Sequence, residues 1–351
     1  MSMASPGEHM AVEIAAQPDV WRRVLATSRT TADPVAEVAQ QILARRPRFV
    51  LLAARGTSDH AALYAKYLIE IWLGLPAGLV SPSTTTVYGA RPDLRDVLVI
   101  AISQSGGSPD LVRTLEAARS HGAITVAVTN NPASALNQAA ELELDVAAGL
   151  ERSVAATKSY TAELLTLYLL LARLAARDTT VTDRLPEWGA QVLDEEPTVR
   201  DLVMRYRSTE RLVVTGRGYS YATAREAALK LMETSYVSAQ AFSGADLLHG
   251  PLALVEAQVP VLAITAAGRG GEALQPTLER LVATGADLVC VGAHGASAYS
   301  APDVLLPGDV PEELSPLLEI LPFQQLSLQL ALAKGADPDA PRGLRKVTET
   351  L

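Results

Sequence analysis

The chain has 351 residues, too many for one ordinary core and comfortable for two domains of typical size. Its apolar fraction is 48% with only 5% aromatics, a balance that suits parallel sheets covered by helices rather than a β-sandwich and makes disorder away from the termini unexpected. Acidic residues outnumber basic ones by 39 to 30, so the surface as a whole repels nucleic acid and anionic lipid, and any phosphate ligand must be held locally.

The stretch from Met1 to Gln17 lacks the basic start and apolar core of a secretory signal, and no later apolar run reaches membrane-spanning length. A soluble cytoplasmic protein is expected. Short apolar and β-branched runs then alternate with longer helical patterns: Phe49 to Ala53, Val97 to Ile102 and Ile124 to Val128, then Leu212 to Thr215, Val261 to Thr265 and Leu288 to Val291. This alternation predicts βαβ units. Between the two sets lie a helical pattern, Thr157 to Ala176, and a polar stretch, Arg177 to Glu187, that reads as a domain boundary. The sequence also echoes itself. Arg55-Gly56-Thr57-Ser58 answers Arg217-Gly218-Tyr219-Ser220, and the run ending at Ile102 answers the run ending at Ile264, both at an offset of 162 residues, as a duplicated domain would show.

Ligands of open parallel sheets gather at the carboxyl ends of strands. In the first copy the second predicted strand runs into Ser103-Gln104-Ser105-Gly106-Gly107-Ser108-Pro109-Asp110. The glycines allow a tight turn, Pro109 suits the first helical position, and Ser108 suits the cap, so free amides and hydroxyls would face a dianion without needing a lysine. Thr57 and Ser58 would close this cradle from the neighbouring loop. A Ser/Gly-rich turn before a helix can equally be only a turn. The nucleotide P-loop pattern is absent, and Gly216 to Tyr219 is too short for a dinucleotide fingerprint. In the second copy the matching segment, Thr265 to Glu272, has lost most of its hydroxyls.

From Val214 to Gln240 the pattern gives a strand, a turn and a helix on which Glu226, Lys230 and Glu233 recur at helical spacing. Helix statistics alone read these as a solvated ion-pair ladder. His249 lies in Leu247-Leu248-His249-Gly250-Pro251-Leu252, a rigid turn between apolar segments, where it is either a structural imidazole or a group that titrates near neutrality and opens a cyclic sugar. Glu233 is then the candidate base that shuttles a proton between adjacent carbons. Cys290, the only cysteine, sits in an apolar run and reads as a buried, inert thiol, with no disulfide framework or cysteine-rich zinc site possible. His9, His60, His121, His249 and His294 show no metal-ligand spacing, so neither metal nor cofactor is expected, and His60 reads as packing or capping. The segment Asp339 to Val347, taken alone, reads as a frayed basic end.

Taken in order, Glu13-Ile14, Gln17-Pro18, Ala54-Arg55-Gly56-Thr57-Ser58, Ser103-Gln104-Ser105-Gly106, Ala156-Thr157-Lys158, Leu229-Lys230-Leu231-Met232-Glu233, His249-Gly250-Pro251 and Pro341-Arg342 resemble the tandem sugar isomerase (SIS) family. The likeness is to the isomerase half of glutamine:fructose-6-phosphate aminotransferase and to stand-alone glucosamine-6-phosphate deaminases. It implies two flavodoxin-like α/β SIS domains. Residues 1–30 would form a helical extension, 31–185 the phosphate-binding domain, 186–338 the domain with the catalytic glutamate and histidine, and 339–351 a tail over the active site. The resemblance further implies phosphate binding by Thr57, Ser58, Ser103, Gln104, Ser105 and Ser108, and sugar contacts at Gly56, Val154 and Ala156. Glu233 matches the proton shuttle, and Lys230 a lysine of the same site. His249 matches a ring-opening histidine shared across a homodimer, and Lys346 a tail lysine able to form a Schiff base.

Three departures shape the expected activity. The chain starts Met1-Ser2 without an N-terminal cysteine nucleophile, so a complete glutamine-dependent synthase is not expected. Arg55 stands where the aminotransferases commonly have cysteine, a form closer to the stand-alone deaminases. Ala156 replaces a frequent serine and leaves sugar specificity open. The resemblance implies deamination of glucosamine 6-phosphate to fructose 6-phosphate and ammonia, with a fructosamine-6-phosphate deglycase or a non-catalytic sugar-phosphate-binding regulator as alternatives. The small-molecule sugar phosphate is the expected partner, with neither nucleic acid nor membrane.

Overall fold

The computed structural model describes residues 5–30, 32–293 and 303–346. Two compact units divide it, and each is built on a five-stranded, wholly parallel sheet. The first unit takes Ala16–Glu151, Lys158–Pro186 and the chain from Arg345 onward; the second takes the chain up to Ala15, the short segment Arg152–Thr157, and Glu187–Leu344.

In the first unit the strands are β1 (Phe49–Ala53), β2 (Ala77–Leu79), β3 (Val97–Ser103), β4 (Ile124–Thr129) and β5 (Leu142–Asp145), in the spatial order β2-β1-β3-β4-β5. The second unit has β6 (Arg211–Gly216), β7 (Ser238–Ser243), β8 (Pro260–Thr265), β9 (Asp287–Ala293) and β10 (Val304–Leu306), ordered β7-β6-β8-β9-β10. Each order is the same, 2-1-3-4-5, so the α/β class and the duplication that the 162-residue echo implied are both present. In each sheet the order reverses beside the first strand, between β1 and β3 or between β6 and β8.

All six expected runs are strands, and they form the three central strands of each sheet. Side chains alternate across the pleat. Ala53, Val99, Ala101 and Ala127 pack with Leu111, Leu115 and Leu136 on one face, leaving Val50, Leu52, Leu98, Ile100 and Val126 for the other. The four strands outside the expected runs, β2, β5, β7 and β10, are all edges; β2, β5 and β7 carry part-exposed positions and no continuous apolar run, whereas β10 is an apolar but very short segment, Val304–Leu306. Within Val214 to Gln240 the expected strand and helix are present: helix Ser220–Ser235 stops at Tyr236, whose φ of 56° is left-handed, and the chain enters β7 two residues later.

One helix in each unit is buried nearly all round, Lys158–Leu174 in the first and Ser315–Ala333 in the second. Each carries a buried carboxylate met by hydroxyls from the helix that follows the unit's first strand. Ser58 Oγ donates to Glu163 Oε1 at 2.9 Å, while Ser220 and Thr223 donate to the two oxygens of Glu319 at 2.7 Å each. Burial pushes the Glu319 carboxyl up, against the pull of the hydroxyls of Ser315, Ser220 and Thr223. Cys290 is buried in β9, as a small hydrophobe would be. No helix among the described residues is long and apolar enough to cross a membrane.

Candidate active site

At the reversal point of the first sheet, the loops leaving β1 and β3 emerge side by side. Gly56, the residue before helix Thr57–Leu68, has φ 55° and ψ −131°, a conformation that admits glycine and few others. The β3 loop is tied down from below. Gly106 carries φ 62°, and a Cβ there would lie 2.1 Å from Ser134 Oγ; its carbonyl accepts Leu136 N at 3.1 Å, and Asn131 Nδ2 donates to the Ser105 carbonyl at 3.3 Å. Gly106→Ala is expected to cost about 1–3 kcal/mol through this backbone and contact strain. A thermal-shift titration would read it as a lower melting temperature together with a smaller shift on adding hexose 6-phosphate.

The hydroxyls and amides of this loop are arranged differently from the sequence expectation. Ser103 Oγ accepts Gly106 N at 3.1 Å and Ser105 Oγ accepts Gly107 N at 3.2 Å, so those two amides are spent inside the loop rather than offered outward. A hydroxyl that accepts an N–H keeps its own proton to donate, and Ser103 and Ser105 therefore act as donors polarised from behind. Ser108 does occupy the cap position before Pro109, but its hydroxyl caps nothing, because Leu111 N is taken at 2.9 Å by Asp110 Oδ1. Gln104 and Ser105 are half-buried, and Gln104 uses its carbonyl to accept Asn130 N at 3.1 Å. Ser58 is buried and directed at Glu163, whereas Thr57 is half-buried at the helix start. His60 is buried on that helix.

The tail is not a frayed end as far as Lys346. In the first unit Lys346 Nζ lies 3.0 Å from Glu151 Oε2, and Glu151, with its side chain fully buried, also accepts Ser159 N at 3.0 Å and Ser159 Oγ at 2.6 Å. In the second unit Asp339 accepts His9 N and Met10 N at 2.8 Å each, capping helix Glu8–Ala15, and Arg342 lies 4.1 Å over the ring of Tyr236. Val154 N donates to the Asp339 carbonyl at 3.3 Å, and Glu13 takes the backbone amides of Arg152 and Ser153, which places Val154 and Ala156 on a pinned segment. Gln17, the other residue of the N-terminal motif, accepts Thr161 Oγ at 2.7 Å in the first unit.

The acid and amine candidates of the second unit meet on helix Ser220–Ser235. Lys230 is fully buried, with Glu226 Oε1 at 3.4 Å and Glu233 Oε2 in direct contact. The ladder is therefore not solvated: Glu226 is also fully buried, and only Glu233 reaches solvent, with 21% of its side chain exposed. Burial alone would pull the Lys230 ammonium down, but Glu226 and then Glu233 outweigh it and hold it above the ordinary lysine range. His249 ends helix Gly244–Leu248, with its backbone N donating to the Asp246 carbonyl at 3.0 Å and its side chain exposed. No hydrogen bond or ion pair joins His249 to Glu233 among the described residues. His294 lies outside them, as do residues 347–351.

Sequence reasoning passed over several groups that organise these sites: Glu163, Glu319, and Glu151, which holds Lys346. It also passed over the second unit's own oxyanion contact. There, at the reversal between β6 and β8, Glu312 accepts Arg269 N at 2.9 Å and Gly270 N at 2.7 Å at the start of helix Arg269–Ala283. The loss of hydroxyls between Thr265 and Glu272 was the visible signal.

Comparison with known proteins is consistent in its direction. The model of the SIS domain matches residues 42–173 and again 205–333. Glutamine–fructose-6-phosphate aminotransferase [isomerizing] of Methanothermobacter thermautotrophicus is 35% identical over 341 residues, covering 96% of this chain and 56% of that protein. The chain thus spans a little over half the length of such relatives. Among solved structures, a Silicibacter pomeroyi protein assigned by name to the phosphosugar isomerases superposes with a TM-score of 0.85 at 35% identity, over 94% of this chain and 99% of that one. The C-terminal domain of glucosamine-fructose-6-phosphate aminotransferase from Francisella tularensis does so with a TM-score of 0.83 at 26% identity, over 95% and 98%.

Proposed function

From the premise that this chain belongs to the SIS-domain family and carries the domain twice, we propose that it is an amino-sugar 6-phosphate deaminating isomerase, converting glucosamine 6-phosphate and water to fructose 6-phosphate and ammonia. The observation that carries the reading is the Lys230–Glu233 pair. Lys230 fixes one oxygen of Glu233 from the buried side and leaves Oε1 without a hydrogen bond among the described residues, on a carboxylate that reaches solvent. That is the form a base needs to take a proton from carbon.

In this mechanism the serines of the Ser103–Ser108 loop hold the phosphate and His249 moves the proton that opens the ring. Glu233 then removes the proton from C2 of the open-chain aldehyde and returns it to C1, passing through an enolamine. The resulting imine at C2 adds water and expels ammonia, which leaves the ketose. Lys346, as an ammonium, contributes positive charge near the carbonyl. A coupled assay that follows ammonia and fructose 6-phosphate together tests the reaction: equal amounts of both are expected. Tight binding without either product would overturn it, and turnover of a fructosamine 6-phosphate instead would reassign the chain to deglycation.

The same reading makes the protein a homodimer that exchanges His249. Leu248 and Leu254 flank it and are 37% and 45% exposed, the kind of apolar rim a second copy would cover. Mixing separately inactive Glu233→Gln and His249→Ala chains should restore activity. No recovery after subunit exchange would place both residues in one chain's site. Lys346 has a structural share as well. Lys346→Met removes a charge-assisted hydrogen bond from buried Glu151 and should cost about 1–3 kcal/mol in urea unfolding.

A further inference from the structure

Asp110 is an awkward neighbour for a phosphate. It is the second residue of helix Pro109–Ser120, 1% exposed, and it brings a full negative charge to the helix end that should draw in a dianion. Arg55 answers that charge: its Nε and Nη2 both lie 2.8 Å from Asp110 Oδ2, while Oδ1 is occupied by Leu111 N. Asp110 is thereby saturated, but Arg55 is not. Half of its side chain is exposed, and Nη1 has no hydrogen bond among the described residues. Arg55 also follows β1 by two residues, on the loop that faces Ser103–Ser108 across the reversal of the strand order.

The duplicated fold supplies an independent indication of what such a crevice holds. At the matching place in the second unit a carboxylate, Glu312, rests on two backbone amides. We propose that Arg55 is a phosphate-binding residue of this protein. Anchored on Asp110 by one edge of its planar fork, it presents the remaining N–H groups to the phosphate held by the Ser103–Ser108 loop, and it cancels the Asp110 charge that would otherwise repel the ligand. The proposal rests on reading that loop as the phosphate cradle.

Isothermal titration of the full chain with fructose 6-phosphate, and with inorganic phosphate as a second probe, tests it. Arg55→Gln should weaken binding of fructose 6-phosphate by about 10- to 100-fold, the range of one charge-assisted contact. Arg55→Lys, which keeps the charge but not the fork, should fall between. Adding Asp110→Asn to Arg55→Gln should recover only the share of the loss that comes from the uncancelled Asp110 charge and should leave the affinity below that of the wild type, because the contact itself is gone. Wild-type affinity in Arg55→Gln, or wild-type affinity restored in the double variant, would overturn the proposal while leaving the cradle in place. A wild type that binds neither probe removes the cradle and this proposal together. Binding without deamination leaves Arg55 assigned and removes only the reaction.

Discussion

Replacing Glu233 by glutamine is expected to lower deamination of glucosamine 6-phosphate by at least about 100-fold, the usual contribution of a positioned base, while the affinity for fructose 6-phosphate stays as it is. The substitution keeps the size of the side chain and a hydrogen-bonding oxygen for Lys230, and Lys230 retains Glu226 as its buried counter-ion. What is lost is the capacity to accept a proton from C2. Because the proposed phosphate contacts are those of the Ser103–Ser108 loop and do not include Glu233, ground-state binding and proton transfer should separate. Steady-state kinetics beside calorimetric titration decides it, and a Glu233→Gln enzyme with wild-type turnover would remove Glu233 from the chemistry.

The largest expected loss of stability belongs to Lys230. Substitution by methionine fills similar volume but withdraws the cation that fully buried Glu226 faces, and uncompensating a buried pair in this way costs about 3–5 kcal/mol. Urea unfolding at neutral pH should show that loss, and the double variant Glu226→Gln with Lys230→Met should recover most of it. Equal stability of Lys230→Met and wild type would mean that the charge on Glu226 is met in another way. The pH dependence has a definite sign. A lysine held above its ordinary range in the folded state binds its proton more tightly there than when unfolded. Its contribution is therefore complete at neutral pH and is lost only as pH rises beyond the ordinary lysine range.

How much of this was legible beforehand differs between backbone and site. The central strands announced themselves because both their faces are buried, which demands runs such as Val97 to Ile102; edge strands such as Ala77–Leu79 face solvent and leave no such run. Helical spacing placed Lys230 and Glu233 on one face, yet spacing is silent on whether that face meets water or the core, and the solvated reading was wrong for Lys230 and Glu226. The Ser103–Ser108 loop could be located by composition. Which of its amides would be consumed internally depended on Asp110, Ser134 and Asn131, and only the folded loop brings these to bear. Pairings between distant residues, such as Glu151 with Lys346 or Arg55 with Asp110, have no local signature in the chain at all.

Glu312 gives the duplication an unequal outcome. A side chain tethered beside two amides acts as an intramolecular ligand whose effective concentration lies in roughly the millimolar range, and any free oxyanion has to compete with it. With the Ser103–Ser108 loop as the proposed cradle and Glu312 on the matching amides of the other copy, a titration with hexose phosphate should saturate at one equivalent per chain. The copy whose crevice Glu312 fills is the one whose helix Ser220–Ser235 carries Glu233, the carboxylate proposed for proton transfer.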